Sequence, residues 1–240
     1  MKFFRKLALV IFDLIEKYYH QKRIISYINS QVTNLENFID IGSHMGSYSD
    51  LIKNNFKKCK SFMFEPQNEI FKKARIKYRN KRNVKLYNYA ISNKKAKKHL
   101  FVNRHNLMSS LCKLNQQNIY LKWKAKLIWG KTTKGMIMKT QTIKTIKLSQ
   151  IIKNEKIKPI DLVKIDTEGH ELEVLKGMEK KIKNIKLIMI EFRKDTVYLS
   201  YKPKKIHNYL IKNNFVLKKK FRFPFTRWED RIYYNKNYAK

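Results

Sequence analysis

Short runs of consecutive apolar residues alternate with stretches of helical spacing from about residue 35 to residue 215. Asn37-Phe38-Ile39-Asp40-Ile41 predicts a buried strand, Gly42 to Gly46 a turn, and Ser47 to Phe56 a helix. Ser61 to Glu65 is the next strand, ended by Pro66. Gln67 to Arg79 places Ile70, Phe71, Ala74 and Tyr78 on one helical face, and Val84 to Ile91 predicts a third strand. Beyond a less regular stretch come a short helix over Leu148 to Lys153, a strand over Asp161 to Ile165, a helix over Glu171 to Lys180 and a strand over Lys186 to Glu191. This alternation, with unbroken apolar strands, predicts an α/β fold: a mostly parallel sheet with helices on both faces. Pro203 to Asn213 predicts a last helix. Phe215 to Phe221 and Arg231 to Tyr234 predict a C-terminal antiparallel hairpin closing the sheet edge.

Two segments depart from this regularity. Residues 1–30 read as an N-terminal amphipathic helical extension to a single domain over 31–240. Lys2, Arg5 and Lys6 precede the apolar run Leu7 to Phe12, but Asp13 and Glu16 interrupt it and no small-residue cleavage site follows. A helix over Lys2 to Tyr19 packed on the domain is expected, with peripheral membrane contact as the alternative. The second segment, about 98–146, reads as an insertion with strands Leu100 to Asn103 and Met136 to Ile146 around a loop. Tyr120, Trp123 and Trp129 there stand among lysines, as a local core or as rings that stack on sugars or bases.

Composition narrows the class. A hydrophobic fraction of 43% supports a real core despite a formal net charge of +37. Such a charge attracts polyanions, yet the lysines spread along the whole chain instead of forming one block, as compositional drift would also leave them. The two cysteines, Cys59 and Cys112, show no metal-ligand spacing and no disulfide framework, which fits a cytoplasmic protein. No metal site is expected.

In a parallel α/β sheet, ligands bind beyond the carboxyl ends of the strands. Here those ends carry Gly42-Ser43-His44-Met45-Gly46, Glu65, Ala90-Ile91-Ser92, Asp166-Thr167-Glu168-Gly169-His170-Glu171 and Glu191, a concentration of acids and glycines in an acid-poor chain. The spacing Gly42-x-x-x-Gly46 is not the GxGxxG of a dinucleotide site, and Asp40 beside it suits a cationic ligand better than a pyrophosphate. S-adenosylmethionine, with its ammonium and sulfonium groups, is such a ligand. Glu65 stands where a carboxylate accepts hydrogen bonds from both ribose hydroxyls.

These residues resemble a known family. Phe38 to Ser49, Phe64-Glu65-Pro66, Asn88 to Ser92 and Ser109-Ser110-Leu111 are similar to motifs of FkbM-type methyltransferases. So, most specifically, is Val163 to Gly177, a strand ending in Asp followed by Glu-Gly-x-Glu and a short helix ending in Leu-x-Gly. The resemblance covers about residues 35 to 195 and keeps motif order. Ser43-His44 departs from the Ala-Asn often found there. The resemblance implies a Rossmann-like class I methyltransferase fold, S-adenosylmethionine as cofactor, and O-methylation of a sugar, glycan or secondary-metabolite hydroxyl. It also implies that Asp40, Gly42, Ser43 and Gly46 face the methionine part, Glu65 the ribose and Ala90 the adenine.

For the reaction, Asp166 and Glu168 are the expected acceptor-positioning or proton-accepting groups. His170 follows because a histidine pKa suits a base near neutral pH, although its position equally fits an exposed residue in the first turn of a helix. Glu171 and Glu173 read as helix residues pairing with lysines. A metal between Asp166 and Glu191 has only weak support. The rival reading is an RNA-binding protein or RNA methyltransferase using the basic surface. Against base modification, the chain has neither an Asn/Asp-Pro-Pro-aromatic stretch nor a Pro-Cys nucleophile.

Overall fold

The structure is a computed structural model and describes residues 10–12, 14–103, 108–126, 132–224 and 226–238. In chain order its strands are β1 (Asn37–Ile41), β2 (Lys60–Phe64), β3 (Val84–Tyr87), β4 (Ala90–Ile91), β5 (Ala96–Asn103), β6 (Ile137–Ile146), β7 (Ile160–Ile165), β8 (Ile185–Arg193), β9 (Phe215–Arg222) and β10 (Trp228–Asn235). The helices are α1 (Gln21–Gln31), α2 (Ser47–Asn55), α3 (Asn68–Tyr78), α4 (Ile119–Lys124), α5 (Leu148–Asn154), α6 (Glu171–Lys176) and α7 (Pro203–Lys212). A π-helical turn, Glu16–His20, leads into α1.

Seven strands form one sheet in the order β3-β2-β1-β7-β8-β10-β9. The first five are parallel, and β10 runs antiparallel between β8 and β9. This is the mostly parallel sheet with a C-terminal antiparallel hairpin that the pattern predicts. Strand alternation divides the core between two faces. Phe38, Leu162, Leu187, Met189 and Ile232 pack beneath Ile24, Ile25 and Ile28 of α1 and Ile52 of α2. Ile39, Ile41, Val163, Ile165, Ile188, Ile190 and Tyr233 face Leu148, Ile151 and Ile152 of α5, Val174 and Leu175 of α6, and Ile206 and Leu210 of α7. The described part of the N-terminal segment therefore shares a core with the sheet; Lys2 to Leu9 and Asp13 of the expected helix lie outside the described residues.

The third apolar run is not one strand. It breaks after Tyr87 because the Asn88 side-chain amide donates to the carbonyls of Glu65 (2.9 Å) and Pro66 (3.2 Å). The chain leaves the main ladder there, and β4 joins a small sheet, β4-β6-β5, whose β5–β6 pair is the expected hairpin. The predicted helix over Glu171 to Lys180 stops at Lys176: Glu179 takes a left-handed φ of 49°, and a 3₁₀ segment follows over Glu179–Asn184. Among the described residues no helix is long and apolar enough to cross a membrane.

At the amino ends of the strands, buried Asp161 of β7 fixes the start of β1. Its Oδ2 accepts the N–H groups of Glu36 (2.8 Å) and Asn37 (3.0 Å), and Lys186 Nζ lies 2.6 Å from Oδ1. Asp161→Ala orphans both donors, and a loss of roughly 2–3 kcal/mol is expected in urea unfolding. A variant as stable as the parent would show that the register of β1 rests elsewhere.

Candidate active site

The chain passes from β1 outward to β2 and β3, then crosses to β7 on the other side of β1. The carboxyl ends of β1 and β7 therefore flank the point where strand order reverses, the usual position of a ligand crevice. Gly42, just past β1, has φ +76°, and a Cβ on it would sit 1.8 Å from the Asp166 carbonyl oxygen. Only glycine allows that approach. The N–H groups of Gly42 and Ser43 both donate to the Phe64 carbonyl (3.0 and 3.1 Å), and the Asp166 N–H donates to Ile41 (3.0 Å). Three strand ends are thereby joined through backbone. Gly46 sits behind the turn: a Cβ there would meet the Tyr78 hydroxyl at 2.3 Å and Met63 Cε at 2.6 Å. It shapes the turn and is not part of the cleft wall.

Register sets the first charge cluster. Asp40 of β1 stands opposite Lys164 of β7, and both are buried. Lys164 Nζ lies 3.8 Å from Asp40 Oδ1 and 3.1 Å from Asp166 Oδ2, with the Tyr48 ring 5.0 Å away. Burial alone would lower the Lys164 pKa, but Asp166 and Asp40 outweigh it and hold the ammonium above its usual range. Asp40 Oδ2 accepts from Ser49 (2.9 Å), whereas Asp40 Oδ1 and Ser43 Oγ are buried without a hydrogen-bond partner. Both atoms belong to residues that line the cleft described below, where a bound molecule or water can satisfy them.

Glu65 follows β2 and is buried. Its Oε2 accepts the His44 N–H (2.9 Å) and its Oε1 the Gln67 N–H (2.7 Å), so it ties the glycine turn to the start of α3. Burial pushes its pKa up to about 7, with the two backbone donors pulling the other way. Each oxygen keeps a lone pair for a further donor.

After β7 the chain makes a tight loop. Glu168 has φ +54° and Gly169 φ +102°, and Glu171 Oε1 accepts from Thr167 N (3.2 Å), Thr167 Oγ1 (3.1 Å) and Gly169 N (2.9 Å). Glu171 is thus the buried cap of this loop and not a surface partner of lysines; Glu173 does pair with Lys176, at 2.9 Å. The loop aims Glu168 at a second charge cluster. Tyr198 donates to Glu168 Oε2 at 2.7 Å, and Arg193 NH1 lies 3.6 Å from Glu168 and 3.3 Å from Glu191. Asp195 takes the other edge of the guanidinium at 3.2 Å. Burial raises the Glu168 pKa, against the pull of Arg193, and burial together with Glu168 and Asp166 raises that of Glu191. Carboxylate oxygens of Asp166, Glu168 and Glu191 lie within 4.8 Å of one another, but Arg193 already supplies cationic charge to two of the three.

His170 is not an exposed first-turn residue. It is buried, its Nε2 lies 3.0 Å from Ser92 Oγ, and burial followed by Lys98 lowers its pKa to about 4. It is neutral at neutral pH and lacks the pKa that recommends histidine as a base. Ala90 of β4 completes the far side. One cleft of about 960 Å³, including the part open to solvent, is lined by Asp40, Gly42, Ser43, Glu65, Ala90, Asp166, Glu168 and His170 together with Glu16, Tyr48 and Ser110.

Arg193 and Tyr198 escape sequence reasoning, as does Glu16, which reads there only as an interruption of an apolar run. The available signal for Arg193 is its spacing two residues after Glu191, which puts both on one face of β8. Glu16 and Tyr198 reach the site through tertiary packing alone. Of the aromatic trio in the insertion, Tyr120 and Trp123 stack at 6.3 Å, with Trp123 largely exposed, and Trp129 lies outside the described residues.

Comparison with known proteins agrees with this architecture. A 52-residue stretch is 38% identical to a hexuronic acid methyltransferase, AglP, of Haloferax volcanii; the match spans 22% of each chain. Among solved structures, M. capricolum TrmK in complex with S-adenosyl-homocysteine superposes with a TM-score of 0.50 at 12% identity, over 89% of this chain and 67% of that one. An uncharacterized protein of Listeria monocytogenes serotype 4b gives 0.51 at 10% identity, over 92% and 69%. Both likenesses are of fold. The model of the methyltransferase FkbM domain matches residues 40–219, three quarters of the chain, and the chain belongs to that family.

Proposed function

We propose that this protein is an S-adenosylmethionine-dependent methyltransferase acting on a hydroxyl oxygen of a sugar or glycan. The observation that carries the reading is the convergence of Asp40, the Gly42 turn, Glu65 and the Asp166–Glu168 loop on one cleft at the strand-order reversal of an FkbM-family domain. The segment similar to a hexuronic acid methyltransferase supports a sugar as acceptor.

The residues present fit the cofactor. Asp40 Oδ1 and Ser43 Oγ, buried and without hydrogen-bond partners, would receive the polar methionine end beside Gly42, with Gly46 keeping the turn in shape. Glu65 would take the ribose hydroxyls and Ala90 would border the adenine. When bound, S-adenosylmethionine supplies an electrophilic methyl carbon on a sulfonium. The protein's part is to align the acceptor oxygen and remove its proton. Asp166, a third exposed and steadied by Lys164, positions the hydroxyl. Glu168, with a pKa raised by burial and an orientation fixed by Tyr198, accepts the proton. Arg193 keeps Glu191 and Asp195 as partners when Glu168 is neutralised by that proton. His170, held on Ser92, forms a neutral wall.

The direct test is transfer of labelled methyl from the cofactor into fractionated cell glycans, lipids and RNA, with identification of the labelled atom. A methyl ether on a sugar oxygen is expected. Label confined to an RNA base would overturn the reading in favour of the basic surface as an RNA-binding face.

Cofactor affinity tests the ribose assignment. Glu65→Ala is expected to weaken S-adenosylhomocysteine binding by roughly 2–3 kcal/mol in calorimetry, and NAD is not expected to compete. Normal binding by the variant would remove Glu65 from the site. The raised pKa adds a pH signature. Between 4.5 and about 7 the native Glu65 holds a proton that the unfolded chain has released, so its contribution to stability is full below 4.5 and lost as pH rises through 7. Ribose hydroxyls donate to the ionised form, so cofactor affinity is expected to rise across the same window and Glu65→Gln to flatten both trends. An unchanged pH profile in Glu65→Gln would contradict this.

Turnover tests the loop. Glu168→Gln and Asp166→Asn are each expected to lower kcat by about a hundredfold while the melting temperature and cofactor affinity change little. If both groups serve only to pair with Tyr198, Arg193 and Lys164, stability falls instead and turnover per folded molecule is preserved.

A further inference from the structure

Among the described residues of the N-terminal helical segment, one face packs on the domain and the other is exposed. On the inner face, Glu16 lines the cleft, His20 Nε2 lies 2.8 Å from Asp230, and Phe12 stacks on Phe223 at 6.1 Å. On the outer face, Val10 (52% exposed), Ile11 (48%), Leu14 (48%) and Tyr18 (55%) point to solvent. Val10, Leu14 and Tyr18 recur every four residues, the spacing of a single helical stripe. Core packing does not need these side chains.

The rim of this stripe is cationic. The Lys17 and Lys22 ammonium groups lie 5.2 and 5.5 Å from the Tyr18 ring centroid, and Arg23 lies 4.9 Å from that of Tyr19. Arg23 also reaches the ring of Phe221 (5.8 Å), and Tyr27 packs edge-on against it (5.7 Å). These contacts set the segment beside edge strand β9, which exposes Lys218, Lys219, Lys220 and Arg222. Glu16, the acid of the same turn, is directed into the cleft.

We propose that this face docks on an anionic bilayer, with the helix lying in the interface plane. An apolar stripe of aliphatic residues and tyrosine, bordered by lysine and arginine, matches acyl chains below and acidic headgroups at the rim. A nucleic acid would leave Val10, Ile11 and Leu14 without a partner. A second copy would bring like charge against like charge in a chain of net charge +37. The geometry also places the cleft about one helix diameter, roughly 10–12 Å, from the lipid, because Glu16 projects from the opposite side of the same segment. An acceptor held at the membrane surface is within reach of such a cleft. Docking itself stands on the helix alone and is read without methyl transfer, so its failure leaves the enzymatic proposal intact.

The test is flotation of the full chain with phosphatidylcholine vesicles, with and without phosphatidylglycerol, at several salt concentrations. Wild type is expected to float with the anionic vesicles only, and less at high salt. Leu14→Glu, at an exposed position, is expected to retain the wild-type melting temperature and to lose about tenfold or more in vesicle affinity. The double variant Lys17→Glu, Lys22→Glu is expected to lose the preference for phosphatidylglycerol. The proposal is overturned if wild type stays with the soluble fraction at low salt. It is also overturned if Leu14→Glu floats as well as wild type, since attraction would then be purely electrostatic. Light scattering showing a wild-type dimer that Leu14→Glu dissolves, with no flotation of either, would assign the stripe to a second copy and likewise end it.

Discussion

Gly42 approaches the Asp166 carbonyl so closely that no side chain fits between them, and a Cβ would lie 1.8 Å from the oxygen. The contact joins the ends of β1 and β7 across the point where strand order reverses. The Phe64 carbonyl draws the end of β2 into the same junction by accepting from Gly42 and Ser43. Once three strand ends meet, the residues that follow them have nowhere else to go. Asp40, Glu65, Asp166 and Glu168 are gathered because the backbone beneath them is gathered.

Gathering acids at low dielectric is costly unless each has a partner. Two buried cations divide the work. Lys164 stands between Asp40 and Asp166, and its position is dictated by strand register. Arg193 stands among Glu168, Glu191 and Asp195. The two clusters differ in what they leave available. Around Lys164, an oxygen of Asp40 stays without a hydrogen-bond partner, which suits the recognition of a polar or cationic ligand. Around Arg193, burial lifts the pKa values of two neighbouring glutamates, Glu168 and Glu191, against the pull of the guanidinium. Glu65 is governed differently, by two backbone donors that pull against burial.

Much of this was legible in the chain. Unbroken apolar runs such as Phe38 to Ile41 and Leu162 to Ile165 mark sheet strands because both faces of the sheet are covered, and the short Glu-Gly-x-Glu stretch marks the loop after β7. What the pattern missed was set by contacts distant in sequence. Val84 to Ile91 is apolar enough for one strand, yet Asn88 finds two carbonyls after β2 and turns the chain away. His170 and Glu171 look like first-turn helix residues, and their burial follows from Ser92 and from the inverted backbone at Glu168 and Gly169. Arg193 lies on a strand whose apolar residues draw attention from it. Glu16 opens a π-turn and lines the cleft, while His20 at the end of that turn lies 2.8 Å from Asp230.

The most direct measurement is a crystal structure of the protein with S-adenosylhomocysteine. The ligand is expected at the β1–β7 junction, with its ribose hydroxyls on the Glu65 carboxylate and its amino-acid end beside Asp40 and Ser43. A ligand bound elsewhere, or one in this cleft that leaves Glu65 and Asp40 without contact, would contradict this placement.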